Sequence, residues 1–156
     1  MSMPIVPDAS LSEGVVSELR EDDLEQVTRI ETKSFGHPWS RDELLTLIRA
    51  ADILSLAVRY GGRVVGYAVG YREEETFHLA SLVVEPGRRR VGNGTRLLSR
   101  VLEEASATCR RCNLEVRYSN HAARRLYVRH GFTTDSIRWN HYADPGDHAL
   151  LMGRNL

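Results

Sequence analysis

The chain has 156 residues, 42% hydrophobic and 27% charged, with Lys+Arg and Asp+Glu equal at 21 each. That length and apolar content suit one domain able to bury its own core, and a formal net charge of zero supplies no global field to draw in nucleic acid or an anionic membrane. No apolar run approaches the ~20 residues that span a bilayer, and the start Met1-Ser2-Met3-Pro4 has neither the charged beginning nor the apolar stretch of a signal peptide, so a cytoplasmic protein is expected.

Residues 1–13, with Pro4 and Pro7, read as a flexible N-terminal tail ahead of a single domain over 14–156. Val15 to Leu19 alternates as a short strand, after which Asp22 or Asp23 caps a helix running to Phe35 with Leu24, Val27, Ile30 and Ser34 on one face. Gly36-His37-Pro38-Trp39 breaks that helix, and Ser40-Arg41-Asp42-Glu43 has the capping-box pattern that opens a second one. Ile53–Tyr60 and Arg63–Tyr71, joined by Gly61-Gly62, form a hairpin with a primed two-residue turn. Glu73-Glu74-Glu75 is a solvated turn, and Thr76–Val84 is the next strand.

A glycine-punctuated basic loop follows, and then Leu97-Leu98, Val101-Leu102 and Ala105 at helical spacing from Gly92 to about Ala107. Asn113–Arg117 is a strand reached through a strand–helix–strand crossover, hence parallel to the one ending at Val84. Asn120–His130 is a short helix stopped by Gly131, and Phe132–Trp139 with Asp147–Asn155 make a final antiparallel pair around Asp144-Pro145-Gly146. The order is β-α-α-β-β-β-α-β-α-β-β.

In the loop, Gly92 and Gly94 carry no Cβ, so backbone N–H groups can converge on a ligand pressed against them. The first turn of the following helix adds unpaired N–H groups and the positive end of its dipole, which together suit a pyrophosphate. A Walker loop would need Gly-Lys-Ser/Thr, and a dinucleotide fingerprint a third glycine; neither is present. Cys109 and Cys112 lack two further ligands near by, and the six histidines show no ligand spacing, so no metal is expected.

In Leu114-Glu115-Val116-Arg117 the two apolar residues share a face and Glu115 points the other way. A mid-strand carboxylate of a parallel pair needs water or a partner, which makes Glu115 either a candidate base or a member of an ion pair, for instance with Arg117. Tyr127 lies seven residues after Asn120, on the same helix face two turns away. It is either a core tyrosine or a phenol placed to protonate a departing thiolate. Trp39, beside a helix start, is a packing or a binding residue.

Arg89-Arg90-Val91-Gly92-Asn93-Gly94 resembles the Q/R-x-x-G-x-G/A signature of the GNAT superfamily of acetyl-coenzyme-A-dependent N-acetyltransferases. The run from Leu114 to Phe132 is very similar to L-E-V-R-x-S-N-x-x-A-x-x-L-Y-x-x-x-G-F, which marks the ribosomal-protein alanine N-acetyltransferases within that superfamily. Ile137–Tyr142, Asp147–Met152 and His37-Pro38-Trp39-Ser40 resemble further segments of the same family. The resemblance implies an α/β GNAT fold: a mixed sheet of about seven strands whose central parallel pair splays at the cofactor site. It implies Glu115 as base and Tyr127 as general acid. Leu82, Val83 and Val84 would hold the pantetheine and thioester oxygen, Arg89, Arg90, Val91, Gly92, Asn93, Gly94 and Thr95 the pyrophosphate, and Asn120 the pantetheine arm. Trp39 and the segment from Arg138 to Tyr142 would flank a peptide N-terminus.

The implied reaction is direct transfer from acetyl-CoA to the N-terminal α-amine of a protein, with a ribosomal protein as partner. No nucleic acid, membrane or metal takes part, and the chain is expected to be a monomer or weak homodimer. Transfer to a small amine or lysine, and a non-catalytic acyl-CoA-binding module, are the alternatives. Tyr118 replaces a usually small residue and His141 a usual tyrosine, so the acceptor pocket is where this chain departs from its resemblance.

Overall fold

The computed structural model describes residues 13–35, 38–89 and 92–156; the expectations for residues 1–12, Gly36, His37, Arg90 and Val91 fall outside them. The elements are β1 (Val15–Glu18), α1 (Leu24–Ser34), α2 (Arg41–Arg49), β2 (Ile53–Tyr60), β3 (Arg63–Glu73), β4 (Thr76–Val84), α3 (Asn93–Ser106), β5 (Arg111–Arg117), α4 (His121–Arg129), β6 (Thr133–Ala143) and β7 (Gly146–Asn155). All seven strands form one sheet in the order β1-β2-β3-β4-β5-β7-β6. Among the described residues only β4 and β5 run parallel, and every other pairing is antiparallel.

The middle of β2 and β3 is buried on both faces of the sheet because these strands alternate two apolar sets. In β2, Leu56 and Val58 join the cluster beneath α3 and α4, while Ala57 joins the one beneath α1 and α2. The periodicity of α3 is realised in full: Leu97, Leu98, Val101, Leu102 and Ala105 are all buried, and each large side chain removed from water contributes ~1.5–3 kcal/mol. On α1, Leu24, Val27 and Ile30 are buried as their spacing requires, but so is Glu31.

A buried ion pair fixes the N-terminal edge. Arg59 of β2 donates from Nη1 and Nη2 to Asp23 Oδ1 and Oδ2 at 2.7 and 3.0 Å, from Nε to Ser17 Oγ and from Nη2 to the Glu18 carbonyl. Asp23 also accepts from the Arg20 N–H at 2.8 Å. Asp23 therefore closes a 3-10 turn over Glu21–Asp23, and α1 begins at Leu24.

Two irregularities shape the site. Pairing of β3 with β4 shifts between Val69 and Gly70, leaving Ala80 as an extra residue on β4. The parallel ladder runs from Thr76↔Arg111 to Leu79↔Leu114 and stops at the same place. A bulge bends and twists its strand; here it coincides with the parting of β4 from β5. The second lies in β6, which continues to Ala143 instead of ending at Trp139. Arg138 pairs Ala149 and Tyr142 pairs Asp147, so residues 139–141 face His148 alone, with Asn140 at φ 52°.

Candidate active site

Beyond Leu114 the strand β5 borders the opening between itself and β4. Leu114 and Val116 are buried in the cluster that also holds Tyr127, so Glu115, one residue out of phase, faces the opposite side of the sheet. Its carboxylate is one-third exposed and surrounded by β6: Tyr142 Oη donates to Oε1 at 3.2 Å, His141 Nε2 lies 3.0 Å from the same oxygen, and Arg138 Nη1 is 3.6 Å from Oε2. Arg117, the ion-pair partner open from sequence, instead stacks its guanidinium 4.0 Å over the Tyr142 ring and donates to the Pro145 carbonyl. Burial and the neighbouring Glu115 push the Tyr142 phenol up to about 12, so it stays a hydrogen-bond donor at neutral pH.

The convergence on Glu115 depends on the bulge. In an unbroken strand Arg138 and Tyr142 share a face and His141 points away. With residues 139–141 set against His148 alone, all three reach one carboxylate. The bulge is pinned by the Asn140 N–H, which donates to His148 Nδ1 at 2.8 Å, and it leaves Trp139 exposed, edge-on to the His148 ring at 4.8 Å.

Tyr127 is buried on α4, edge-on to Phe132 with ring centroids 5.7 Å apart. Burial, and then Cys112, push its phenol well above the ordinary range, so it remains protonated. It and Glu115 lie on opposite sides of β5. Asn120 caps α4, its Oδ1 accepting the Ala123 N–H at 3.2 Å.

At the start of α3, Gly92 adopts the left-handed conformation, φ 85°, that its lack of a Cβ allows. A Cβ on Gly94 would stand 3.1 Å from Leu126 Cδ2, so α3 lies close to α4 at this point. Asn93, between them, is the residue whose role the sequence hides. Its side chain is 1% exposed; Oδ1 accepts from Tyr60 Oη at 3.0 Å and Arg96 Nη1 at 3.3 Å, and Nδ2 donates to the Arg88 carbonyl at 3.1 Å. Arg89 Nε donates back to the Val84 carbonyl at 2.9 Å. The loop is thus tied at both ends to the sheet.

Trp39 packs on the α1/α2 cluster and lines a 310 Å³ cleft with Glu43, Thr46 and Leu47. Its backbone N–H donates to buried Glu31 at 2.9 Å, and Glu31 also accepts from Tyr67 Oη. Both cysteines are buried, and burial pushes the Cys112 thiol up to about 12, which leaves it an inert core residue. Among the described residues no group of three or more His, Cys, Asp or Glu could hold a metal ion, and no helix is long and apolar enough to cross a membrane.

A sheet whose one parallel pair parts beside a glycine loop at a helix N-terminus, with a carboxylate on one side and a protonated phenol on the other, has the layout of an acyl-transferring enzyme. Residues 24–132 match the model of the acetyltransferase (GNAT) family, and the chain belongs to that family. It is 29% identical over 140 residues to the ribosomal protein bS18-alanine N-acetyltransferase of Escherichia coli strain K12, covering 88% of this chain and 94% of that one. The crystal structure of the ribosomal-protein-S18-alanine N-acetyltransferase from Escherichia coli superposes with a TM-score of 0.82, covering 91% and 93% of the two chains at 28% identity. Ard1 from Thermoplasma volcanium gives 0.83 at 27% identity, over 92% and 98%. Arabidopsis thaliana NAA60 in complex with acetyl-CoA shares the fold, at 0.81 and 19% identity over 92% and 98%.

Proposed function

We propose that this chain transfers the acetyl group of acetyl-CoA directly to the N-terminal α-amine of a protein, a ribosomal protein being the acceptor class that its Escherichia coli relative suggests. The observation that carries the reading is the parting of β4 and β5 after Leu79 and Leu114, with Glu115 and Tyr127 on opposite sides of β5. A thioester threaded through that opening meets an amine on the Glu115 side and sheds its thiolate toward Tyr127. The α3 N-terminus, with the backbone of Arg89 to Thr95, is the pyrophosphate cradle. Leu82 to Val84 offer backbone groups to the pantetheine and the thioester oxygen, and Asn120 its side-chain amide.

Glu115 takes the amine proton, and Tyr127, held protonated by its burial, supplies the proton for the thiolate. An α-amine, with an ordinary value near ~8, is partly neutral at pH 7, whereas a lysine at ~10.4 is not. That difference favours N-termini over lysine side chains.

The test is release of free coenzyme A from acetyl-CoA with a short peptide beginning Ala-Arg, against the same peptide N-terminally blocked, with mass spectrometry to locate the acetyl group. Release with the free peptide alone is expected. Release with neither, when calorimetry demonstrates acetyl-CoA binding, refutes α-amine transfer.

A further inference from the structure

We propose that His141 is the second half of the base: the amine proton finishes on its imidazole, and Glu115 is the intermediate stop. The inference rests on the reading of Glu115 given above and deepens it. His141 stands on β6, two residues past exposed Trp139, where only the three-against-one bulge opposite His148 lets it turn toward β5. Its Nε2 comes within 3.0 Å of Glu115 Oε1, the shortest contact that carboxylate makes with β6.

The geometry divides the work between the two carboxylate oxygens. Oε1 is occupied by Tyr142 Oη and His141 Nε2, while Oε2 is met by Arg138 at 3.6 Å, too long for a hydrogen bond and so open to an incoming amine. His141 Nε2 lies 3.0 Å from Oε1, and in the tautomer that carries its proton on Nε2 the Nδ1 atom is free to accept one. The amine nitrogen bonds to the acetyl carbon, the carbon–sulfur bond breaks, and the nitrogen gives up one proton to Oε2. A carboxylic acid beside an amine is a poor resting place for a proton, since a carboxyl group ordinarily ionises near ~4.3 and an imidazole near ~6.5. Solvent exchange from Oε2 to Nδ1 restores the carboxylate and leaves an imidazolium beside it. The His141 side chain is 35% exposed, so the imidazolium can return its proton to water.

The other charged or titratable groups around the pair are Arg138 and Tyr142 on β6, Arg117 of β5 stacked on Tyr142, and on β7 both His148, whose Nδ1 accepts the Asn140 N–H, and Asp147, which accepts from Ser119 Oγ. The Asp147 carboxyl is held below the usual carboxylate range by that hydrogen bond, so it is already ionised where an imidazole titrates. The arginines stay charged throughout.

The experiment compares native protein, His141→Gln, His141→Tyr and Glu115→Gln, with kcat and KM for acetyl transfer to the free Ala-Arg peptide measured across about pH 5 to 9. Glutamine places an amide where the imidazole stood but takes up no proton. The expected result is a kcat lowered ~10-fold or more at neutral pH in both His141 variants, KM for peptide and acetyl-CoA within about twofold, and the acid limb of kcat/KM moved down by about one pH unit or more. A His141→Gln enzyme with native kcat and a native pH profile, alongside a Glu115→Gln enzyme that has lost activity, overturns the role of His141 and leaves Glu115 as sole base. Full turnover in Glu115→Gln overturns the base assignment itself. Acetyl-CoA binding by calorimetry and a thermal melt for each variant separate these outcomes from misfolding; a variant that binds natively and loses kcat supports the pair.

Discussion

Replacing Asn93 with alanine tests whether the loop before α3 is held ready or ordered only by its ligand. The substitution deletes the acceptor for Tyr60 Oη at 3.0 Å and Arg96 Nη1 at 3.3 Å, and the donor to the Arg88 carbonyl at 3.1 Å. At ~1 kcal/mol net for a good hydrogen bond and less for the long one, the loss is ~2–3 kcal/mol. Water can reach the half-buried Tyr60 hydroxyl, which keeps the cost from rising further. For a chain of this length that is a fall in Tm of ~5–10 °C. The Arg88 tie is the part that bears on binding, because an untethered loop must be ordered when acetyl-CoA arrives. If ~1.4 kcal/mol of the total goes into that ordering, Kd for acetyl-CoA rises ~10-fold. Scanning calorimetry gives the first quantity and titration calorimetry the second. A variant that melts early yet binds acetyl-CoA with native affinity would show that Asn93 only fills space, and the reasoning about the loop would fail.

Three further outcomes follow from contacts elsewhere. Asp23→Asn breaks a doubly hydrogen-bonded, buried pair with Arg59, and loss of one buried partner costs ~3–5 kcal/mol; a Tm within ~2 °C of native contradicts it. Burial raises the Asp23 carboxyl, but the hydrogen bonds from Arg59 and the Arg20 N–H outweigh that and hold it below the usual range. Its contribution is therefore complete above the unfolded carboxylate value of ~3.9 and is lost as pH falls through the folded value, so the gap between native and Asp23→Asn melts stays level from about pH 7 to 5 and closes in stronger acid. Tyr127→Phe lowers kcat ~100-fold in the coenzyme A release assay with little change in affinity for acetyl-CoA, and unchanged turnover removes Tyr127 as the acid. Gly92→Ala must place a Cβ at φ 85° and 3.2 Å from Arg96 Nη1, which lowers stability by ~1–2 kcal/mol, and a native melting curve is the contrary result.

Much of this architecture is legible in the sequence because its signals are local. The period-2 pattern of Leu114, Glu115 and Val116 puts the carboxylate on the side away from the core cluster, where it stands. Gly92 and Gly94 mark the loop, and the spacing of Leu97, Leu98, Val101 and Leu102 marks the helix behind it. What escapes depends on partners distant in sequence. Asn140 reads as lying beyond the strand end, yet β6 continues past it because β7 and His148 hold the bulge. Glu31 sits on an apolar helix face, and only Tyr67 and the Trp39 N–H explain how it can be buried. Asn93 reads as a loop residue that serves through its backbone, whereas Tyr60 and Arg88 enclose its side chain.

β6 is the terminal strand of the sheet, and its residues from Thr133 to His141 are exposed on both faces, with Tyr142 alone partly covered. The groups it aims at Glu115 are therefore carried on a strip whose side chains scarcely enter the core. Substitution along that strip costs little in folding, while the glycine loop and α3, locked into the interior by Leu97, Leu98 and Asn93, admit little variation. Under the proposed function, cofactor use and acceptor choice thereby become separable for natural selection or for an engineer, with a new specificity written on β6 alone.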